Sequence, residues 1–180
     1  LEGEEMRTNY PGFKGGDRTN IELPQVQREM LALLKTTGKP LVYVNCSGSA
    51  MGMVPETQNA DAILQAWYGG ECAGEAVADV LFGDYNPSGK LPVTFYKNAE
   101  QLPDFLDYTM KGRTYRYMKE TPLFPFGYGK SYTTFSLDKP SYKKGKVYVT
   151  VTNTGEIDGC EVVQVYVRKQ GDAEGPNKTL

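Results

Sequence analysis

The residues best suited to chemistry stand first in the chain. Glu2, Glu4 and Glu5 fall within four positions and lead into a glycine-rich run ending Gly15-Gly16-Asp17-Arg18. Carboxylates so grouped can transfer protons or attack an electrophilic carbon, but a carboxylate cluster on a loop is more often a solvated surface, and composition alone favours that reading. Other nucleophile systems are narrowed by what the composition omits. There is no histidine among the 180 residues, so a Ser-His-Asp or Cys-His arrangement cannot be built from this chain. Cys46, Cys72 and Cys160 are too widely spaced for metal-ligand motifs, and their odd number suggests buried free thiols. The stretch Gly69-Gly70-Glu71-Cys72-Ala73-Gly74 has the glycine separation of a phosphate-binding loop. Glu75 and Ala76 then stand where a Lys and a Ser or Thr are required, and a carboxylate there would repel a nucleotide. A tight strand-to-helix turn is the simpler reading. Tyr115, Arg116 and Tyr117 could stack on a sugar ring, although a half-buried strand is favoured for them.

Charge and hydropathy narrow the partners. Twenty Lys and Arg oppose 22 Asp and Glu, and no basic block forms a nucleic-acid footprint. No apolar run approaches the ~20 residues that a membrane span needs. Thirteen Tyr, seven Phe and one Trp suit either sugar contacts or a β-rich core.

The elements that would position these groups can be read from punctuation. Pro24 opens a helix over about 24–36, with Val26, Met30, Leu33 and Leu34 at helical spacing, Gly38 as its C-terminal cap and Pro40 as a stop. "PLVYVNCSGSA" reads as a strand buried on both faces, ending in a loop of small residues. "DAILQAWY" repeats that pattern, and Gly69-Gly70 turns the chain into a second helix, "ECAGEAVADVLFG". Strand, loop, helix and strand in alternation predict a layered α/β sandwich with a largely parallel sheet. "DYNPSGKLP" is turn chemistry and "PVTFY" a short extended segment. After about Pro125 the character changes. "FGYGKSYTTFSLDKP" reads as a crossing, and "KVYVTVTNTGEIDGCEVVQVYVRK" then alternates. Val147, Val149 and Val151 would share one strand face and Val163, Val165 and Val167 another. Two or three strands fall short of a sandwich of about seven, so the sequence is expected to be incomplete at both ends.

These stretches together resemble a known family. "EG", "GFKGGDRTNIELP", "ADAILQAWYGGECAGEAVADVLFGDYNPSGKLPVTF" and "MKGRTYRYMKETPLFPFGYGKSYTTF", in that order, are similar to glycoside hydrolase family 3, which includes β-glucosidases and β-xylosidases. The resemblance implies an α/β sandwich domain over 1–125, a crossing over 126–135 and a partial fibronectin III-like domain over 136–180. It also implies an exo-acting retaining hydrolase with two carboxyl groups about 5–5.5 Å apart. In the family the nucleophilic Asp belongs to a preceding barrel domain, and the acid/base Glu to a loop before the Gly-Asp-Arg segment, here Gly16-Asp17-Arg18. Glu2 best matches that acid/base, with Glu4 the alternative, while Asp17 and Arg18 would support the loop. No cofactor is implied. The expected partners are a β-glycoside or oligosaccharide substrate and the barrel domain of the same protein, in a periplasmic or secreted setting. The chain departs from the family's usual Trp-Tyr-Pro-Gly-Gln-Glu-Gly-Gly at Trp67–Gly74, lacking the turn proline and gaining Cys72. A non-catalytic scaffold or carbohydrate-binding module and a doubly wound nucleotide-binding domain are the other classes left open.

Overall fold

A computed structural model describes residues 20–104 and 106–180. The first helix, α1 (Gln25–Lys35), starts where the sequence places it, although Pro24 is the capping residue rather than the first helical one. Its carbonyl accepts the N–H groups of Gln27 and Arg28 at 2.9 and 3.2 Å. At the other end the hydroxyls of Thr36 and Thr37 donate to the carbonyls of Leu33 and Leu34, both at 2.7 Å. These bonds satisfy acceptors that a helix terminus leaves open. Gly38, at φ +70°, then turns the chain out.

Strands β1 (Val42–Asn45) and β2 (Ala62–Gln65) lie parallel, with Val42 opposite Ala62 and Asn45 opposite Gln65. Parallel neighbours need a crossover. Here it holds a short helix, α2 (Val54–Asn59). Asp61 pins the start of the pair. Its carboxylate accepts the Leu41 N–H at 2.8 Å and Lys35 Nζ at 3.0 Å. Helix α3 (Ala73–Phe82) follows β2 and ends at Gly83.

Among the described residues the buried apolar ones are Leu23, Leu31, Met51, Met53 and Phe95, and Trp67, Leu91, Leu123 and Phe124 pack around them. Residues 91–95 run against 123–128. Phe95 N–H donates to the Phe124 carbonyl, and Leu123 N–H to that of Phe95, both at 2.9 Å. Only Leu31 of α1 is buried, whereas Val26, Met30, Leu33 and Leu34 are between 42% and 70% exposed. The apolar spacing of α1 therefore marks a face that no described residue covers.

Three expectations are corrected. Thr114–Tyr117 forms one helical turn, α4, rather than a strand, with Thr114 held at φ +54°. Each of the three cysteines is free and exposed rather than buried. The valine alternation does not build two long strands. Instead β3 (Phe135–Leu137) pairs antiparallel with β6 (Val151–Asn153), while β4 (Ser141–Lys143) pairs with β5 (Lys146–Tyr148). The second valine run contributes only a bridge between Val167 and Thr179. Lys144 and Gly145 make the two-residue hairpin turn between β4 and β5, both at positive φ, which matches the twist of a tight hairpin. The described chain is thus mixed α/β, with one small parallel and two small antiparallel sheets.

Candidate functional site

Glu2 and Glu4, with Asp17 and Arg18, lie outside the described residues. What the structure provides is the junction by which their segment joins the fold. Ile21 and Glu22 lie alongside Gly52, with Glu22 and Gly52 forming a parallel bridge and Gly52 N–H donating to the Ile21 carbonyl at 2.8 Å. A side chain at position 52 has no space. A Cβ there would stand 2.9 Å from the Lys97 carbonyl and 3.3 Å from Glu22 Cγ. The Glu22 carboxylate accepts the Ala99 N–H at 3.3 Å, a second hold on the same residue.

Behind this junction sits an ion pair between a buried carboxylate and a partly exposed guanidinium. Arg28, on α1 one turn before the buried Leu31, donates from Nη2 to the Gly52 carbonyl at 3.4 Å. Its Nε lies 3.4 Å from Oε1 of Glu56 on α2. Glu56 is completely buried, and neither of its oxygens reaches hydrogen-bonding geometry with a described group. Burial pushes its carboxyl above the usual range, against the opposing pull of its backbone amide and of Arg28.

Beside the pair, the carboxyl edge of β1 and β2 carries a polar network. Tyr43 OH donates to Asn45 Oδ1 at 2.8 Å, and Asn45 Nδ2 donates to Gln65 Oε1 at 2.6 Å and Ser47 Oγ at 3.0 Å. Gln65 Nε2 donates to Ser47 Oγ at 3.2 Å, and the Ser47 hydroxyl donates to the Ser49 carbonyl at 2.9 Å. Burial, and then the charge of Glu56, push the Tyr43 phenol up to about 12, so it remains a proton donor. Each member holds the next, which fixes the loop leaving β1 in a single arrangement. Trp67, just beyond β2, is held at φ +55°, with its ring edge-on to Phe95 at 6.1 Å. The carboxyl edge of parallel strands is where α/β folds place their ligands.

The remaining sequence candidates take structural roles. Gly69 packs so closely on Ala73 that a Cβ could not enter, and Glu75 lies in the first turn of α3. That is a tight turn with the wrong charge for a phosphate. Tyr115 borders a cleft of about 390 Å³ with Tyr96, Met110, Arg116 and Phe126. Its ring stacks on Phe126 at 4.5 Å and meets Tyr166 edge-on at 5.8 Å, so its face is committed to packing. Among the described residues no group of three His, Cys, Asp or Glu side chains could hold a metal.

Sequence reasoning missed Glu22, Arg28, Gly52 and Glu56. A signal was present: Glu56 closely follows the apolar Met51–Val54 stretch, and Arg28 precedes the buried Leu31 by one helical turn.

Comparison with known proteins decides the family. Residues 1–132 match the model of the glycosyl hydrolase family 3 C-terminal domain. The chain belongs to glycoside hydrolase family 3. Over its whole length it is 60% identical to a xylan 1,4-beta-xylosidase of Xylanibacter ruminicola, of which it covers 22%. It is 46% identical, over 86% of its length, to a periplasmic beta-glucosidase of Salmonella typhimurium, covering 23% of that protein. Among solved structures, a Listeria innocua beta-glucosidase in complex with isofagomine superposes with a TM-score of 0.75 at 34% identity, covering 93% of this chain and 26% of that one. The chain therefore spans about a quarter or less of these family 3 glycosidases.

Proposed function

We propose that this chain is the acid/base-bearing part of an exo-acting, retaining β-glycosidase, and that the nucleophile comes from outside it. Glu2 is the general acid/base, and Glu4 is the alternative two residues on. The observation that carries this reading is the family 3 match over 1–132, which includes the glutamates and the Gly16-Asp17-Arg18 segment. Glu2 would protonate the leaving oxygen as the glycosidic bond breaks. It would then deprotonate the water that releases the sugar from the nucleophile. Identity of 60% to a xylan 1,4-beta-xylosidase favours a xylosyl unit over a glucosyl one. The likeness to a periplasmic enzyme supports a periplasmic or secreted setting.

The longer glycosidase should hydrolyse an aryl β-xyloside faster than the matching glucoside. Proton NMR should show the β-anomer of the sugar released first. First release of the α-anomer would refute retention, and a longer protein without glycosidase activity would refute the enzyme reading. The 180 residues alone should release no more aryl alcohol than a Glu2→Ala control.

A further inference from the structure

The cleft beside Tyr115 stands apart for what its walls leave unused. Apolar side chains form much of it, among them Pro92, Val93, Met110 and Phe126. Its volume of about 390 Å³ is within the range of small-molecule sites. Three polar groups border it with bonding capacity to spare. Thr94 is 7% exposed, and its Oγ1 has no hydrogen-bond partner among the described residues. A buried hydroxyl in that state costs free energy that a bound polar group would recover. Tyr96 OH accepts the Thr114 N–H at 3.3 Å, which leaves its own proton for another acceptor. Arg116 forms no ion pair among the described residues. Its Nε donates to Tyr115 OH at 3.4 Å, and neither Nη is engaged by a described residue. All three groups can donate, and no carboxylate lines the cleft.

The turn that presents Arg116 is held in place from several sides. Thr114, at its start, is a β-branched residue at φ +54°, a strained conformation of the kind that clusters at ligand clamps. From the far end of the chain, Asn177 Nδ2 donates to the Met118 carbonyl at 3.1 Å and Leu180 N–H to Tyr115 OH at 3.4 Å. The surroundings are positive. The bond from Arg116, and then that from Leu180, holds the Tyr115 phenol below its ordinary range, with the charges of Arg116 and Lys178 acting in the same sense. A planar guanidinium on a fixed turn is suited to a planar anion.

We propose that this cleft binds a small aromatic carboxylate, with its ring against Val93 and Met110 and its carboxylate on Arg116. The rings of Tyr96 and Phe126 and the Met110 thioether favour an aromatic body over an aliphatic one. A sugar suits the cleft less. Each of its hydroxyls needs a polar partner where much of the wall is apolar, and a neutral ring leaves the guanidinium unpaired. The site takes no part in the proposed glycosidase chemistry and stands or falls independently of Glu2.

The test is fluorine NMR of para-fluorobenzoate titrated into the longer glycosidase that contains this chain. Saturable binding with a Kd of about 1 mM or below is expected for a ligand of this size. The para-fluorobenzamide has the same shape without the charge and should bind at least ~10-fold more weakly. Arg116→Gln should weaken the carboxylate by a similar factor, and Thr94→Val, which keeps the shape and removes the hydroxyl, by about 3–10-fold. Arg116 is exposed, so its replacement leaves the fold intact. If Thr94→Val does not fold, the amide and Arg116→Gln decide. No saturation up to about 10 mM, equal affinity for acid and amide, or unchanged affinity in Arg116→Gln overturns the proposal. Displacement of the fluorobenzoate by an equal concentration of xylose also overturns it, and would make the cleft a sugar site. A longer protein without glycosidase activity leaves this measurement unaffected, and failure here leaves the acid assignment standing.

Discussion

Glu56 has no exposed surface, although the Arg28 guanidinium lies 3.4 Å away. Its carboxyl ionises less readily in the folded chain than in the unfolded one. Between the ordinary carboxylate value of 4.5 and its raised value the folded state therefore binds more protons. Stability from this group falls as pH rises through that window. Glu56→Gln has no such dependence. Unfolding measured across pH should show the variant gaining on the wild-type chain from acid toward neutral pH, and parallel profiles would contradict the assignment. Asp61 works in the opposite sense. The Leu41 N–H and then Lys35 hold its carboxyl below the usual 3.8, so its contribution is present above that value and is lost as pH falls. Asparagine at position 61 should flatten the acid limb of the profile. These residue roles were only partly legible in the sequence. The opening glutamates stood out because they are clustered, whereas Glu56 is a single charge whose burial depends on a short helix that no periodicity announced.

At the scale of elements, the network at the ends of β1 and β2 makes a sharper prediction. Asn45 is 3% exposed and bonds Tyr43, Ser47 and Gln65 at once. Asn45→Ala takes a partner from the half-buried Tyr43 hydroxyl and Gln65 carbonyl, a loss of about 1–3 kcal/mol for each one left unsatisfied away from water. Denaturant unfolding should show a lower midpoint with an unchanged slope, and a change below 0.5 kcal/mol would place the network's weight elsewhere. Elements bounded by proline and glycine were legible. Pro24, Gly38 and Pro40 bracket α1, and the small residues after β1 mark the end of its strand. Elements set by distant contacts were not. The β-rich composition of Thr114–Tyr117 suggests a strand, but Thr114 N–H is held by Tyr96 OH at 3.3 Å and the chain makes one turn instead. The alternation over Val147–Val151 spans two strands with different partners, since period alone cannot show where one ends. The spacing of α1 shows that an apolar face exists, not what covers it.

For the whole molecule, the question is what ties the antiparallel sheets to the α/β part. Asn86 donates to the Asp158 carbonyl at 3.0 Å and accepts from Ser131 and Tyr132, both at 2.8 Å. Lys90 lies 2.9 Å from Glu161 and donates to the Gly129 carbonyl at the same distance. These ties are polar, and β4, β5 and β6 are exposed along their length. Few buried apolar contacts mean easy local opening. Amides of Val151–Asn153 should exchange faster than those of Val42–Asn45, and Lys90→Met should widen the difference. Equal protection in both strands would show that the second part has a core of its own.

The proposed function depends on a proton supplied from one end of this chain, and the measurement that bears on it most directly is the leaving-group dependence of Glu2→Gln in the longer glycosidase. Glutamine keeps the size and removes the transferable proton. Losing general acid help costs ~10²–10⁴-fold, so kcat/KM should fall by that much for a poor leaving group. For a dinitrophenyl glycoside it should change little, and added azide should then raise kcat by attacking the glycosyl intermediate without a base. The same pattern in Glu4→Gln instead would move the role two residues along. Equal slowing of good and poor leaving groups in both variants, with no response to azide, would contradict the account.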